Sequence, residues 1–439
     1  MIAEKVKVEK ILISTTIARG LLWGVLLPLI WFLLDSRYVW NDIDRGSTLA
    51  CLIILSGLDG AAVAFANVVD IDSGGVDLLA AQHGLEVDDA FRNRMNSIHQ
   101  MVFDSSFLVF TPLMALLGWY IGDIAKDSTD SHDVVAGGVV CVFAVMFFIA
   151  SIVSWYQYRF GMEETTHAEY QMLNESNNEQ NNEQPHDSIW ASMVVGAKLC
   201  WKTKPVRWRL FFLGLEIALE DGMVAVVAVE YAYSSRFFAD GNKGLTLVYT
   251  AVIVAIGKIG ALIAGKLMHS FWEPPVTKDG FRPLFLSVLC GSSAVSLLYV
   301  AHSFEKNNAP ESALAWVSRC LVLLGAILFF LFSTAPKIGF ATLLQGMASS
   351  VEGSGKIFGF VGPFISIIDS FVVMGLSLLF HFFKGQCHEL ECEHSQFSKA
   401  LLATCGIYLT HGIAECFLGP WLMLPADGSL NMLRNIGVS

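Results

Sequence analysis

Charged residues are scarce in this sequence. Only 15% of its 439 residues are Asp, Glu, Lys or Arg, whereas about a quarter is usual for a soluble globular domain. Hydrophobic residues make up 54%, and the mean hydropathy is +0.54. Apolar stretches of about 20 residues or more recur along the chain, and each is long enough to cross a bilayer as a helix. The composition therefore excludes a soluble globular protein and predicts an integral membrane protein surrounded by lipid.

Motifs for several kinds of chemistry are also missing. The sequence contains no nucleotide-binding loop, no nucleophile elbow and no HExxH helix. We therefore expect neither an enzyme nor an ATP-driven transporter, and no resident cofactor. The net charge of −12 argues against nucleic acid as a partner. No small-residue cleavage pattern follows the first apolar stretch, so we predict no cleavable signal peptide.

Hydropathy predicts an all-α multi-pass membrane protein with ten spans. They cover about residues 11–34, 48–69, 100–121, 134–157, 209–233, 244–268, 283–303, 317–343, 357–383 and 397–419. Lys and Arg concentrate in the loops of one side, in "EKVKVEK", "FRNR" and "KLCWKTKPVRWR", whereas the opposite loops are rich in acids. By the positive-inside rule, both termini are expected on the cytoplasmic side of the plasma membrane or of an organelle membrane.

A polar segment divides the predicted spans into four and six. Residues 160–208 contain "NESNNEQNNEQPHD", which we interpret as part of a largely disordered cytoplasmic linker. The linker separates an N-terminal bundle (1–159) from a C-terminal bundle (209–422), and a tail follows (423–439). Transporters made of two six-helix bundles carry their long cytoplasmic loop between the bundles. The chain fits that plan with two helices missing before the linker.

The last predicted span carries a stripe of polar side chains. Thr404, Tyr408, His411 and Glu415 are spaced by four, three and four residues, so they share one face of a helix. Polar groups at membrane depth face protein or a water-filled cavity. Imidazole and carboxylate one turn apart are suitable ligands for a divalent transition-metal ion. Without further information an interhelical hydrogen bond that holds two helices together is the more common use of such residues, and both interpretations stay open.

The fifth predicted span is the most acidic. Glu216, Glu220 and Glu230 lie on one helical stripe, and Asp221 follows Glu220 directly. Adjacent buried carboxylates repel each other unless one is protonated, hydrated or paired with a cation. A bound metal ion would satisfy Glu220 and Asp221. A salt bridge from Lys258 of the next span would do so as well, and the sequence favours neither.

Other polar residues interrupt apolar stretches without forming a stripe. Asp59, Asp104 and Asp369 each stand alone, and we assign them to helix packing or gating. The loop sequence "CHELECEH" resembles a set of metal ligands, but its spacing matches no strong zinc pattern. There we expect a Cys387–Cys392 disulfide or a weak cation-collecting patch.

Several stretches, in chain order, resemble ferroportin, the iron-exporting family of the major facilitator type. "KVKVEKILISTTIARGLLWG" resembles the start of the family's third helix, and "RMNSIHQMVFDSSFLVFTPLMALLG" its fifth. "VEYAYSSRF" resembles the end of the seventh helix, and "ATLLQGMASSVEGSGKIFGFVGPFISIIDSF" the tenth and eleventh, with Gln345, Glu352 and Asp369 at family-like positions. "YLTHGIAECF" resembles the helix whose histidine is a metal ligand. The resemblance implies that His411 binds metal and that Glu352 serves gating or packing.

The chain also departs from the ferroportin pattern. The family's first two helices, of which the first supplies a metal-binding aspartate, have no counterpart. Val226 or Ala225 replaces the seventh-helix cysteine that partners the histidine, and His99 replaces the fifth-helix aspartate. The expected metal ligands are therefore His411 and Glu415 with Glu220 or Asp221, and His99 joins the gating or packing residues.

The resemblance implies a monomeric exporter of Fe²⁺, or of a similar divalent transition metal, that works by alternating access. The four-plus-six arrangement suggests a second possibility from a different class. A truncated paralogue that transports nothing would serve as a membrane partner or regulator, and its polar residues would only hold helices together.

Overall fold

The computed structural model describes most of the C-terminal half of the chain and two helices before it. The described residues are 8–34, 87–124, 189–239, 243–272, 278–305, 309–349, 354–384 and 390–422, with isolated positions between 47 and 62 and between 144 and 152. Within these ranges the structure is helical and contains no strand. The helices are α1 (Val8–Leu34), α2 (Asp89–Ile124), α3 (Ile189–Lys202), α4 (Lys204–Gly222), α5 (Ala228–Ser234), α6 (Lys243–Phe271), α7 (Lys278–Ala294), α8 (Ser296–Ser303), α9 (Ala313–Ser349), α10 (Ser354–Lys384) and α11 (Leu390–Leu422).

Among the described residues, five helical stretches are long and apolar enough to cross a membrane. They are Leu245–Phe271, Phe281–Ser303, Ala313–Ala348, Gly359–Lys384 and Ser395–Leu422. Each coincides with one of the last five predicted spans, so the protein is a helical membrane protein as its composition indicated. The count of ten stays a prediction because 48–69 and 134–157 lie almost wholly outside the described residues.

The fifth predicted span is one continuous helical segment that changes its winding midway. Helix α4 begins at Lys204, and Pro205 follows in its first turn, where the fixed φ of proline is suitable. A π-helical turn, Met223–Val227, joins α4 to α5 without a break. A π turn inserts one extra residue into an α-helix and so rotates everything that follows. Consequently the acidic stripe is buried at Glu216 and Glu220, whereas Glu230 beyond the turn is half-buried.

Close packing between helices joins the two halves of the sequence. Helix α2, which precedes the predicted linker, lies along α6, which follows it. Gly265 of α6 lets the two approach, since a Cβ there would lie 2.6 Å from Met101 Cγ. Gly260 lies against α9, where an added Cβ would come within 2.1 Å of the Ile327 carbonyl oxygen. These contacts place α2, α4, α6 and α9 around a shared interior, in which the buried charges lie.

The end of the predicted linker differs from the expectation of disorder. Residues 189–202 form α3, which packs on α10 and buries Cys200 completely. The reason lies in local composition, since "IWASMVVGAKLC" is apolar although the Asn- and Glu-rich stretch before it is not. Burial raises the pKa of the Cys200 thiol to about 12. Residues 160–188 lie outside the described part of the chain.

Candidate metal centre

Three ionisable side chains from two helices meet inside the C-terminal bundle. Glu216 comes from α4, and His411 and Glu415 come from neighbouring turns of α11. His411 Nε2 lies 2.8 Å from Glu216 Oε1, and His411 Nδ1 lies 3.7 Å from Glu415 Oε1. One possible ligand atom from each residue lies within 4.8 Å of the others. We call these three residues the histidine cluster.

The histidine cluster is enclosed and short of donors. The side chains of Glu216, His411 and Glu415 are 5%, 8% and 2% exposed. Among the described residues, no hydrogen-bond donor reaches either carboxylate oxygen of Glu415. A buried acceptor without a partner costs about 1–3 kcal/mol, and more when it is charged. A proton or a metal cation would remove that cost, so Glu415 is the strongest sign that the cluster takes up something from outside the chain.

The ligand set suits a borderline divalent ion. One imidazole nitrogen and two carboxylate groups match the donors that Fe²⁺, Zn²⁺ and related ions accept, and water would complete the coordination. With neutral His411 and two ionised carboxylates, the donors carry two negative charges, which a divalent cation neutralises. In the structure, His411 Nε2 forms a hydrogen bond with Glu216 Oε1. The interhelical hydrogen bond considered as the alternative is therefore present, and it uses the atoms that would bind metal.

A glycine beside the histidine sets the position of α11. Gly412 lies against α7, where an added Cβ would stand 2.7 Å from Ser292 Cβ. Any larger residue would separate the two helices and rotate the face that carries His411. The local sequence "THGIAE" thus combines a candidate ligand with the small residue that lets its helix pack.

Glu220, expected as a metal ligand, lies in a second group of charges instead. Lys258 Nζ is 2.5 Å from Glu220 Oε1 and 2.9 Å from Asp104 Oδ1. Lys337 Nζ is 3.0 Å from Glu220 Oε2. Gln100 Nε2 donates to the other oxygen of Asp104, 2.9 Å away. We call Asp104, Glu220, Lys258 and Lys337 the lysine cluster. The salt bridge considered as the alternative for Glu220 is thus the arrangement that the structure shows.

Asp221 and Asp369 do not join either cluster. Asp221 is on the exposed side of α4, although it directly follows buried Glu220. Asp369 is half-buried on α10, with one oxygen that no donor of the described residues reaches. Their assigned roles, in metal binding and in gating or packing, stay predictions.

The remaining predicted residues are scattered. Asp59 accepts hydrogen bonds from Arg19 Nε at 3.2 Å and Trp23 Nε1 at 3.1 Å, which fits a packing role near α1. His99 is half-buried on α2. Glu352 and Cys387 lie outside the described residues, and the side chain of Cys392 is not described either. The predicted disulfide or cation patch therefore stays a prediction.

Two residues of these clusters, Glu216 and Lys337, are not among the site residues expected from the sequence. Glu216 lies on the acidic stripe, but the sequence favours Glu220 as the metal ligand because Glu220 is nearer the middle of the span. Lys337 received no role, although a lysine inside a 37-residue apolar helix is itself a signal of a buried partner. Its partner lies 117 residues earlier in the chain, so no local pattern connects the two.

Comparisons with known proteins do not identify the chain: no family model matches it, and no curated protein gives a significant match. The ferroportin resemblance therefore rests on the quoted stretches alone.

Proposed function

We propose that the protein exports Fe²⁺, or a similar divalent transition-metal ion, across its membrane by alternating access. His411, Glu216 and Glu415 are the proposed ligands. The main support is Glu415, a buried carboxylate that no donor of the described residues satisfies. Further support comes from the chemistry of the three donors and from the absence of any nucleotide-binding motif, which favours transport driven by gradients.

The proposal includes a major-facilitator-like arrangement of ten spans with both termini in the cytoplasm. In such transporters the substrate site lies near the bilayer midplane, between two bundles that rock against each other. Helices α4 and α11 carry the histidine cluster, and α2, from before the linker, packs on α6 beside them. Both helices that carry the histidine cluster belong to the C-terminal bundle, so rocking against the N-terminal bundle would open and close access to the ion rather than separate its ligands.

A membrane partner or regulator that transports nothing is the second candidate. The observation that favours it is the 2.8 Å contact between His411 and Glu216, because it already links α4 to α11 without any ion. In that case the histidine cluster would act only as an attachment between helices.

Metal transport by purified protein distinguishes the two. The full chain is reconstituted into liposomes that contain a metal-quenched dye, and Fe²⁺ or Co²⁺ is added outside. We expect His411→Ala to lower the initial transport rate about tenfold or more, because losing even a residue that only supports a metal ligand typically costs about 10–100-fold. His302→Ala is the matched control, because His302 is also buried but lies in α8 beside Glu305.

Equal rates in wild type and His411→Ala would refute the proposed site. A wild-type protein that neither binds Co²⁺ nor moves an ion would favour the regulator.

A further inference from the structure

Helices α4 and α11 touch through two polar contacts that are one turn apart. His411 meets Glu216 at 2.8 Å, and Tyr408 Oη donates to the Leu219 carbonyl oxygen at 2.7 Å. From the Tyr408 contact to the His411 contact, the chain advances three residues along α11 and goes back three residues along α4. The helices are therefore antiparallel here, and both contacts report the same register.

Tyr408 is held firmly enough to serve as a reference point. Its side chain is fully buried, and its ring packs edge-on against Phe329 with 5.7 Å between the ring centroids. The carbonyl that it binds also accepts the backbone N–H of Met223, where α4 passes into the π turn. The Tyr408 hydroxyl thus joins α11 to the last turn of α4, directly before the π turn.

Other polar contacts of α4 do not set its register against α11. Glu220 links α4 to α6 through Lys258 and to α9 through Lys337. Apolar packing between α4 and α11 is non-directional, so it tolerates small slides. A slide of one residue moves a helix by about 1.5 Å, whereas metal–ligand distances must hold within about 0.2 Å.

We propose that Tyr408 is a positioning residue of the metal centre, since its hydrogen bond to Leu219 fixes the register that presents Glu216 to His411. This inference rests on the proposed metal-binding function. The hydrogen bond of Tyr408 goes to a backbone carbonyl and not to a proposed ligand, so Tyr408 acts through the backbone of α4.

The test compares Co²⁺ binding by the purified full chain before and after loss of this hydroxyl. We expect Tyr408→Phe to weaken Co²⁺ binding about fivefold, the effect of one net hydrogen bond, and to change the intensity of the visible cobalt bands. Tyr231→Phe is the matched control. It deletes an equally buried hydroxyl, 3.3 Å from Glu305 Oε1, on α5, the helix that continues α4 beyond the π turn.

Melting temperatures measured without metal show that each variant is folded. Cobalt spectra are then recorded below the lowest melting temperature in the series. Unchanged affinity and bands in Tyr408→Phe would overturn the positioning role, and so would an equal loss in Tyr231→Phe. If His411→Ala abolishes cobalt binding in the same series, the proposed function survives either result. If the wild type binds no cobalt, the proposed function fails first.

Discussion

One turn of α4 separates two clusters of buried charge that are satisfied in opposite ways. In the lysine cluster, two carboxylates face two ammonium groups, and every distance of the three ion pairs is 3.0 Å or less. In the histidine cluster, two carboxylates share one imidazole, and among the described residues no Lys or Arg forms an ion pair with either. Each carboxylate of the first group has an ammonium partner, whereas no donor of the described residues forms a hydrogen bond to Glu415 in the second.

The difference teaches how to separate structural from functional charge in a membrane protein. Both clusters contain acidic residues in apolar helices, and such residues look the same in the sequence whichever cluster they belong to. The lysine cluster joins α2, α4, α6 and α9, and it includes the contact between the two halves of the sequence. Within the described part of the chain, the histidine cluster joins two helices, and Glu415 has no hydrogen-bond donor there. Balance of charge, rather than presence of charge, distinguishes them.

The largest expected effect follows from removing the shared cation of the lysine cluster. Lys258→Met should destabilise the folded protein by about 3–5 kcal/mol, because it leaves buried charge uncompensated. Glu220 would keep Lys337 and Asp104 would keep Gln100, so the loss should stop short of complete unfolding. Chemical denaturation in detergent micelles measures it. A loss below 1 kcal/mol would show that the two clusters do not differ as described.

A change of the opposite kind is expected in the histidine cluster. Glu415→Gln removes a buried carboxyl group that no donor of the described residues reaches, so the stability of the metal-free protein should stay unchanged or rise by up to about 1 kcal/mol. The same substitution should weaken Co²⁺ binding about tenfold, because the amide is a poorer ligand than the carboxylate. Denaturation and cobalt titration of one preparation measure both. A stability loss of several kcal/mol would mean that Glu415 has a structural partner.

The smallest effect is expected at a third ion pair, which serves as the control. Lys384 of α10 pairs with Glu230 of α5 where both side chains are about a quarter exposed, 26% and 28%. Solvent screens such pairs, so Lys384→Met should cost at most about 1 kcal/mol. Thermal melting of Lys384→Met and of Lys258→Met, each compared with the wild type, gives the ratio of the two stability losses. Equal losses would mean that burial does not explain the stability of the lysine cluster.

Local patterns predicted much of the fold and part of the site. Hydropathy located the spans that became α6 to α11, since a 20-residue apolar run has few alternatives in a membrane. The spacing of His411 and Glu415 placed them on one face of α11, because helical periodicity is a short-range property. The same reasoning found the buried stripe on α4 that contains Glu216 and Glu220.

The tertiary structure alone decided which acid serves which cluster. Glu216 and Glu220 are equivalent in spacing and chemistry, and they differ only in whether they face α11 or the lysines of α6 and α9. That choice depends on how α4 is rotated in the bundle and on contacts between residues up to 195 positions apart. A sequence determines by itself what its helices are, because hydropathy and periodicity act locally. Which side chains those helices bring together is decided by packing over the whole chain.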